Sequence, residues 1–158
     1  MKFLSALMVG IVIFAPLPVI AAGDAGIGEK EFKKCKTCHT IKNGDEVIYK
    51  GGKTGPNLYG VVGRAAGSLD FKYSKPMFAA RDAGLIWNEE AIAEFIANPN
   101  EYLKQLTGDS KARSKMTFKA KKNAADLAAY LASVGPVIDN SDDQDSETTL
   151  SGEENNDS

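Results

Sequence analysis

Cys35-Lys36-Thr37-Cys38-His39 holds both cysteines and the only histidine of this 158-residue chain within five positions. On a helical turn, positions three and four apart share a face, so two thiols and one imidazole can address a single planar ligand. This spacing is that of covalent c-type haem attachment. The sequence therefore predicts one covalently attached haem c, bound through thioethers to Cys35 and Cys38, with His39 reaching the iron.

Three other chemistries share parts of this pattern. A thioredoxin-like redox pair has the same cysteine spacing but is typical of a βαβ surrounding, which the sequence lacks. A zinc site would need a fourth ligand, and none stands nearby. A structural disulfide between Cys35 and Cys38 would leave His39 without a role. Haem attachment is the hypothesis that uses all three side chains.

The first residues are typical of a secretory signal peptide. Lys2 precedes an apolar run that ends at Phe14, two prolines follow, and small residues up to Ala22 offer a cleavage site. We expect residues 1–22 to be removed and the mature protein to be periplasmic, where haem attachment takes place in exporting bacteria. The alternative is a retained N-terminal membrane anchor, because residues 3–22 are about long enough to span a bilayer.

Charge divides the rest of the chain. Residues 23–138 carry 18 Lys and Arg against 13 Asp and Glu, a net charge of +5, whereas residues 139–158 carry eight acidic side chains and no basic one. The second composition cannot bury enough apolar area to offset the entropy of ordering it, so we expect a disordered acidic tail after a single domain at 23–138. A basic body points to charged partners, of which nucleic acid is one candidate. The tail would add solubility or compete with acidic partners for the basic body.

Helical patterns alternate with long loops, which predicts an all-α fold. Residues 43–68 and 102–122 are predicted as loops, and no alternating run is long enough for a strand. Four helices are predicted: one carrying Ile27, Phe32 and Cys35 on one face, one from Ser74 to Gly84, one capped by Asn88 and ended by Asn98-Pro99, and one capped by Asn123 with Leu127, Tyr130, Leu131 and Val134 on one face.

Several stretches also match a known family in order, over about residues 24–134. They are Gly28-Glu29-Lys30 to Phe32, Cys35 to His39, Lys53 to Arg64, Phe71 to Ser74, Trp87 to Glu90, Asn98-Pro99 through Tyr102, Ser114 to Phe118, and Asp126 to Leu131. The chain resembles class I cytochrome c, close to the soluble bacterial members of the mitochondrial-like (cytochrome c-550) type. The resemblance implies helices and long loops wrapped around one haem, with the first and last helices crossing.

The resemblance also implies roles for single residues. Met116 would be the distal iron ligand opposite His39, while Met77, the competing methionine, lies in a predicted helix and is assigned to packing. The carbonyl of Pro56 would accept the other ring N–H of the histidine. The groups that would hold the haem propionates are Arg64, Tyr73 and Trp87.

Two further features follow from the resemblance. Gly28 would allow the first helix to approach the last one closely at Tyr130. Phe95 departs from the family pattern, because many relatives carry a tyrosine there, near the methionine sulfur. Any tuning of the reduction potential by that hydroxyl would be absent here.

A haem iron with two axial protein ligands has no open position for a substrate, so we expect an electron carrier and not an enzyme. The expected protein is a monomeric, soluble periplasmic shuttle that binds no nucleic acid and links a bc-type complex or dehydrogenase to an oxidase or reductase. Lysines near the haem would meet acidic patches on these redox partners: Lys33, Lys34, Lys53, Lys115, Lys119, Lys121 and Lys122. The alternatives are a haem enzyme or gas sensor with an open iron, and a non-haem thiol oxidoreductase.

Overall fold

The computed structural model describes residues 23–136, so the predicted signal peptide at 1–22 and the predicted acidic tail at 139–158 lie outside the described residues. Helices and loops dominate this part of the chain, as predicted. In chain order the elements are α1 (Ala25–Glu31) with a following 3₁₀ turn (Phe32–Lys34), β1 (Ile41–Asn43), β2 (Glu46–Tyr49), α2 (Lys75–Asp82), α3 (Glu89–Ala97), α4 (Pro99–Thr107) and α5 (Ala124–Ser133). None of the helices within 23–136 is both long and apolar enough to span a membrane.

The first and last helices cross at a glycine, as the sequence predicted. A Cβ atom on Gly28 would collide with the carbonyl oxygen of Asp126 and lie 2.8 Å from Cβ of Tyr130. The Asp126 carboxylate also accepts a 2.8 Å hydrogen bond from the backbone N–H of Asp24, whose own side chain caps α1 at Ile27. The crossing therefore combines a bare backbone contact with a polar bond between the two N-termini.

Phe32 sits at the centre of the core where these helices meet. Its side chain is fully buried and packs edge-on against Tyr49, with ring centroids 4.9 Å apart, and against Tyr130 at 5.4 Å. Ile27, predicted to share this buried face, is instead 43% exposed. Five residues advance an α-helix by about 500°, so Ile27 and Phe32 lie about 140° apart around the helix axis and do not share one face.

The prediction of a loop over 43–68 is wrong at its beginning. There β1 and β2 pair antiparallel, with Asn43 opposite Glu46 and only two residues between them. Gly44 has a φ of +56°, the left-handed conformation that a two-residue hairpin turn requires. The two turn residues are Gly44 and Asp45, and a glycine followed by an aspartate is a usual signal of such a turn, although the strands are too short to show alternating hydrophobicity.

The prediction of a loop over 102–122 is also wrong in part, because α4 covers its first residues. Asn98-Pro99 does end α3, yet proline fits the first position of a new helix equally well, and α4 begins there. The helix is anchored by the fully buried Leu103 and ends before Gly108, which has a φ of +69°. A proline therefore separates two helices without a loop between them.

Of the N-caps predicted at Asn88 and Asn123, only the first makes a side-chain capping bond. The side chain of Asn88 accepts a 2.7 Å hydrogen bond from the backbone N–H of Ala91 and caps α3 as predicted. Asn123 stands at the predicted N-cap position of α5, but it has a φ of +59° and its side chain forms no capping bond. The start of α5 is thus set by the backbone turn at Asn123 and not by its amide group.

The close approach at Gly28 gives a stability prediction. Gly28→Ala should lower the free energy of unfolding of the holoprotein by about 1–3 kcal/mol, because the new methyl group has to push α1 away from α5. Gly26→Ala is the matched control, since its Cβ would meet only the Asp24 carboxylate at 3.2 Å. Denaturant unfolding of both variants measures the difference, and equal losses would contradict the tight crossing.

Candidate haem-binding site

The Cys35–His39 segment forms a tight turn directly after the 3₁₀ turn. The backbone N–H groups of Cys38 and His39 both donate to the carbonyl of Cys35, at 3.1 and 3.0 Å. Gly51 and Gly52 pass so close to this turn that a Cβ on either would collide with the carbonyls of His39 and Thr37 respectively. The chain after β2 therefore wraps the motif and fixes its shape.

One ring nitrogen of His39 is already occupied within the protein. Its Nδ1–H donates to the carbonyl of Pro56 over 2.7 Å, which leaves Nε2 as the nitrogen with a lone pair for a metal. Gly55 lies against the ring, and a Cβ there would be only 2.5 Å from Cε1. Burial lowers the pKa of His39, although the bond to Pro56 acts in the opposite direction. The bond to Pro56 thus orients the imidazole, and burial favours its neutral form.

The two cysteines are not joined in a disulfide. Cys35 is half-buried and Cys38 exposed, and both border the same cavity. Burial, with a smaller contribution from Cys38, raises the pKa of Cys35 to about 11. The described residues contain no βαβ unit, only the hairpin of β1 and β2, so the thioredoxin-like alternative finds no support in the fold.

A cavity of about 470 Å³ opens next to the motif. Its lining includes all eight side chains that the sequence assigned to the haem: Cys35, Cys38, His39, Pro56, Arg64, Tyr73, Trp87 and Met116. Most of the remaining wall is apolar, with Phe32, Val61, Ile92 and Leu131 among its residues. An apolar macrocycle with a polar edge fits this lining, because the wall is mostly apolar and its donors Arg64 and Tyr73 lie near each other.

Met116 reaches the cavity from an irregular segment that other elements hold in place. Its backbone N–H donates to Oγ of Ser114 at 3.0 Å, and the N–H of Ser114 donates to Oδ1 of Asn100 on α4 at 2.8 Å. Nζ of Lys115 donates to the carbonyl of Lys72 over 2.7 Å, across the cavity rim. These three hydrogen bonds hold the segment that carries the Met116 thioether, although this segment is not helical.

Met77 also borders the cavity, but from α2. Its side chain is only 7% exposed and belongs to the packed core. Because the helix fixes its backbone, this methionine has little freedom to reach an iron, and its assignment to packing stays the better hypothesis.

Arg64 brings positive charge to one side of the cavity. Its guanidinium donates to two carbonyl oxygens, that of Tyr59 at 2.9 Å and that of Asn57 at 3.0 Å, and within residues 23–136 it forms no ion pair. Burial lowers the pKa of Arg64 and raises that of neighbouring Tyr73. A partly buried cation without a carboxylate is costly, so an anionic group at this side of the cavity would stabilise it.

Backbone hydrogen bonds join Trp87 to the Arg64 side of the cavity. Its N–H donates to the carbonyl of Arg64 at 2.9 Å, and its own carbonyl accepts from Gly63 at 2.7 Å. Its ring packs against Phe95 and Tyr102, with centroids 5.2 and 6.1 Å away. The segments before α2 and α3 are therefore joined at the cavity wall.

Two residues of the site had no individual role in the sequence prediction. Asn57 accepts from the backbone N–H of Lys42 at 3.0 Å and donates to its carbonyl at 2.8 Å, so its amide acts as an extra strand residue beside β1. Lys72 lines the cavity and supplies the carbonyl that binds Lys115. Asn57 lies in the matched stretch Lys53 to Arg64 and Lys72 in the matched stretch Phe71 to Ser74, so the resemblance gives a usable signal at both positions.

The helical fold, the Cys-x-x-Cys-His turn and the apolar cavity beside it define a c-type cytochrome. No protein-family model matches the sequence. Over 122 residues the chain is 50% identical to cytochrome c-551 of Roseobacter denitrificans, covering 77% of this chain and 88% of that protein. It is 53% identical over 116 residues to cytochrome c2 of Rhodobacter capsulatus, covering 72% and 84%.

Solved structures agree with the sequence comparison. The X-ray structure of ferric cytochrome c-550 from Paracoccus versutus matches with a TM-score of 0.69 at 48% identity, over 71% of this chain and 98% of that one. The chain belongs to the class I cytochromes c, in the group of cytochromes c2 and c-550. It is accordingly an electron carrier with one covalently attached haem c.

The thioether assignment gives the first test at this site. Haem peroxidase staining should stay on the protein band in a denaturing gel, and Cys38→Ala should lower the yield of holoprotein because at most one thioether can form. Thr37→Ala is the matched control, since this exposed residue lies between the two cysteines. Extraction of the haem from the unaltered protein by acidified organic solvent would contradict the assignment.

The distal ligand is tested by comparing the two methionines. Met116→Ala should abolish the sulfur-to-iron charge-transfer band of the oxidised protein, lower its midpoint potential and let added ligands bind. Met77→Leu should keep the band, because leucine fills a similar volume in the core. Optical titration of both variants decides, and exchanged results would make Met77 the ligand.

Proposed function

We propose that this protein shuttles single electrons in the periplasm, from a bc-type complex or a dehydrogenase to an oxidase or reductase, and does not itself catalyse a reaction on a substrate. The proposal includes the ligand set: thioethers from Cys35 and Cys38, and axial iron ligation by His39 and Met116. The observation that carries it is the cavity on which two thiols, a fixed imidazole and a thioether converge.

The chain supplies the surroundings that such a carrier needs. Haem iron contributes one-electron redox chemistry when bound. His39 is kept in one tautomer by Pro56, and Met116 is held by the ties of its segment, so neither has to move far between oxidation states. Packed apolar side chains exclude water from most of the cavity. Because His39 and Met116 would rearrange little between the two oxidation states, electron transfer would be fast.

The exposed part of the cavity rim is where a partner would dock. Cys38 and Phe118 line the cavity and are also exposed, so the cavity reaches the surface between them. Lys34, Lys72 and Lys115 lie on this rim and are exposed as well. Positive charge around the opening would attract acidic patches on redox partners and give fast, weak, salt-sensitive encounters.

The other lysines expected in the docking ring fall into two groups. Lys119, Lys121 and Lys122 surround a depression that shares Phe118 with the cavity wall. Lys33 and Lys53 are exposed but line neither. The docking surface we propose is therefore narrower than the sequence-based ring and includes Lys72.

The predicted export of this protein supports the periplasm as the compartment in which it acts. The apolar run and small residues at 1–22 are the signal for it, and covalent haem attachment at Cys35 and Cys38 takes place outside the cytoplasm in exporting bacteria. An acidic redox partner would be met in the same compartment. A processed N-terminus close to Gly23 in the purified protein would support export with removal of residues 1–22, and an intact Met1 would contradict that removal.

Docking through the rim is tested with paired charge variants. Lys34→Gln/Lys72→Gln should slow electron transfer to an acidic redox partner about tenfold or more at low ionic strength, because steering scales with local charge. Lys42→Gln/Lys50→Gln changes the net charge equally at exposed lysines that do not line the cavity. Stopped-flow kinetics over a salt series compares the pairs, and equal slowing would contradict a local docking rim.

A further inference from the structure

A cluster of lysines lies beside the haem cavity, at the beginning of α5. Lys34, Lys119, Lys121 and Lys122, here called the lysine patch, surround a shallow depression with Phe118, Asn123 and Leu127. The only acid in its lining, Glu31, is already paired with Lys34. Within the described residues, the other three lysines of the patch have no ion-pair partner.

The sequence around the patch concentrates positive charge. Residues 110–125 contain six Lys and Arg and no Asp or Glu. Two of these six are tied to carbonyl oxygens, since Lys115 binds Lys72 and Arg113 binds Ala112. Lys119, Lys121 and Lys122 donate to no carbonyl among residues 23–136, so their charge is available to a ligand.

The acidic segment starts at the other end of the same helix. Gly135 packs on Gly60, where its Cβ would lie 3.3 Å from the Gly60 Cα, and Pro136 is also in contact there. A ten-residue helix spans about 15 Å, so the chain leaves the described structure roughly that far from the patch. The eleven residues 137–147 can bridge at most about 36 Å, which exceeds this distance.

We propose that the acidic segment 139–158 binds the lysine patch of its own chain and thereby competes with acidic redox partners; the competition, though not the contact, rests on the proposed shuttle function. Five of its eight acids stand within residues 139–147, the part that reaches the patch first. Each exposed ion pair is weak. The covalent connection offsets this weakness, since it keeps the segment at an effective concentration on the order of millimolar.

The contact is tested by NMR on the reduced, isotope-labelled holoprotein. Truncation after Ile138 should shift the backbone amide signals of residues 119–123 at about 10 mM ionic strength, where charges interact over about 30 Å. At about 1 M salt, where the screening length is about 3 Å, the two proteins should give the same signals. Absent shifts at low salt, or shifts that persist at high salt, would overturn the contact.

Two matched variants separate a local contact from a net-charge effect. Changing all eight tail acids to their amides keeps the length and should reproduce the spectrum of the truncated protein. In the triple variant Lys119→Gln/Lys121→Gln/Lys122→Gln, truncation should leave the backbone amide signals of residues 119–123 unchanged. Truncation shifts that survive this triple substitution would overturn the assignment to the patch.

The competition is tested with ferricyanide, a small anionic oxidant that needs no physiological partner. At low ionic strength, truncation should raise the second-order rate constant about threefold or more in the otherwise unaltered protein, because the tail no longer shields the rim. In the triple lysine variant the increase should be much smaller. An equal increase in both would mean that the tail acts through net charge alone and would overturn the competition. Failure of the reduced protein to react at all would contradict the shuttle function, while the amide signals would still judge the contact.

Discussion

The hydrogen bond from Nδ1 of His39 to the carbonyl of Pro56 is the interaction on which the rest of the site depends. It joins the motif turn to the segment after β2, and it decides which ring nitrogen faces the cavity. The glycines at 51, 52 and 55 are needed because this segment lies directly on the turn. The neighbouring Asn57 then ties the same segment to Lys42 and to Arg64, so one loop sets the imidazole, the hairpin and the cationic side of the cavity.

Whether the sequence predicts a part of this site depends on how far apart along the chain the interacting residues are. Cys35, Cys38 and His39 lie within one turn, so spacing alone placed them on one ligand. Met116, 77 positions further on, was found only through resemblance, because its position depends on Asn100 and Lys72 rather than on a local pattern. The structure brings all the predicted haem residues to one cavity, while their contacts with haem itself stay a prediction.

The errors in the fold have a common physical origin. The hairpin of β1 and β2 is set by its turn at Gly44 and by the amide of Asn57, so its strands need no alternating pattern. The helix α4 begins at Pro99, a residue that both ends α3 and fits the first position of a new helix, because its missing N–H costs nothing there. In both cases a local signal is present in the sequence: Gly44 for the hairpin turn and Pro99 for the start of α4.

The two methionines that border the cavity are carried by different types of structure. Met77 is on α2, whose backbone is fixed by hydrogen bonds from Met77 and Phe78 to Ser74, and its side chain completes a packed wall. Met116 is on an irregular segment that hydrogen bonds hold on both sides. The backbone N–H of Ser114 donates to Asn100, and Nζ of Lys115 donates to the carbonyl of Lys72. The backbone N–H of Ala120 donates to the carbonyl of Ile96 over 2.7 Å. The backbone of such a segment is not restricted to helical dihedral angles, so it can present a side chain to the cavity at an angle that a helix with 3.6 residues per turn does not offer. The ties then restore the rigidity that electron transfer needs, because a ligand that stays in place in both oxidation states keeps the rearrangement small.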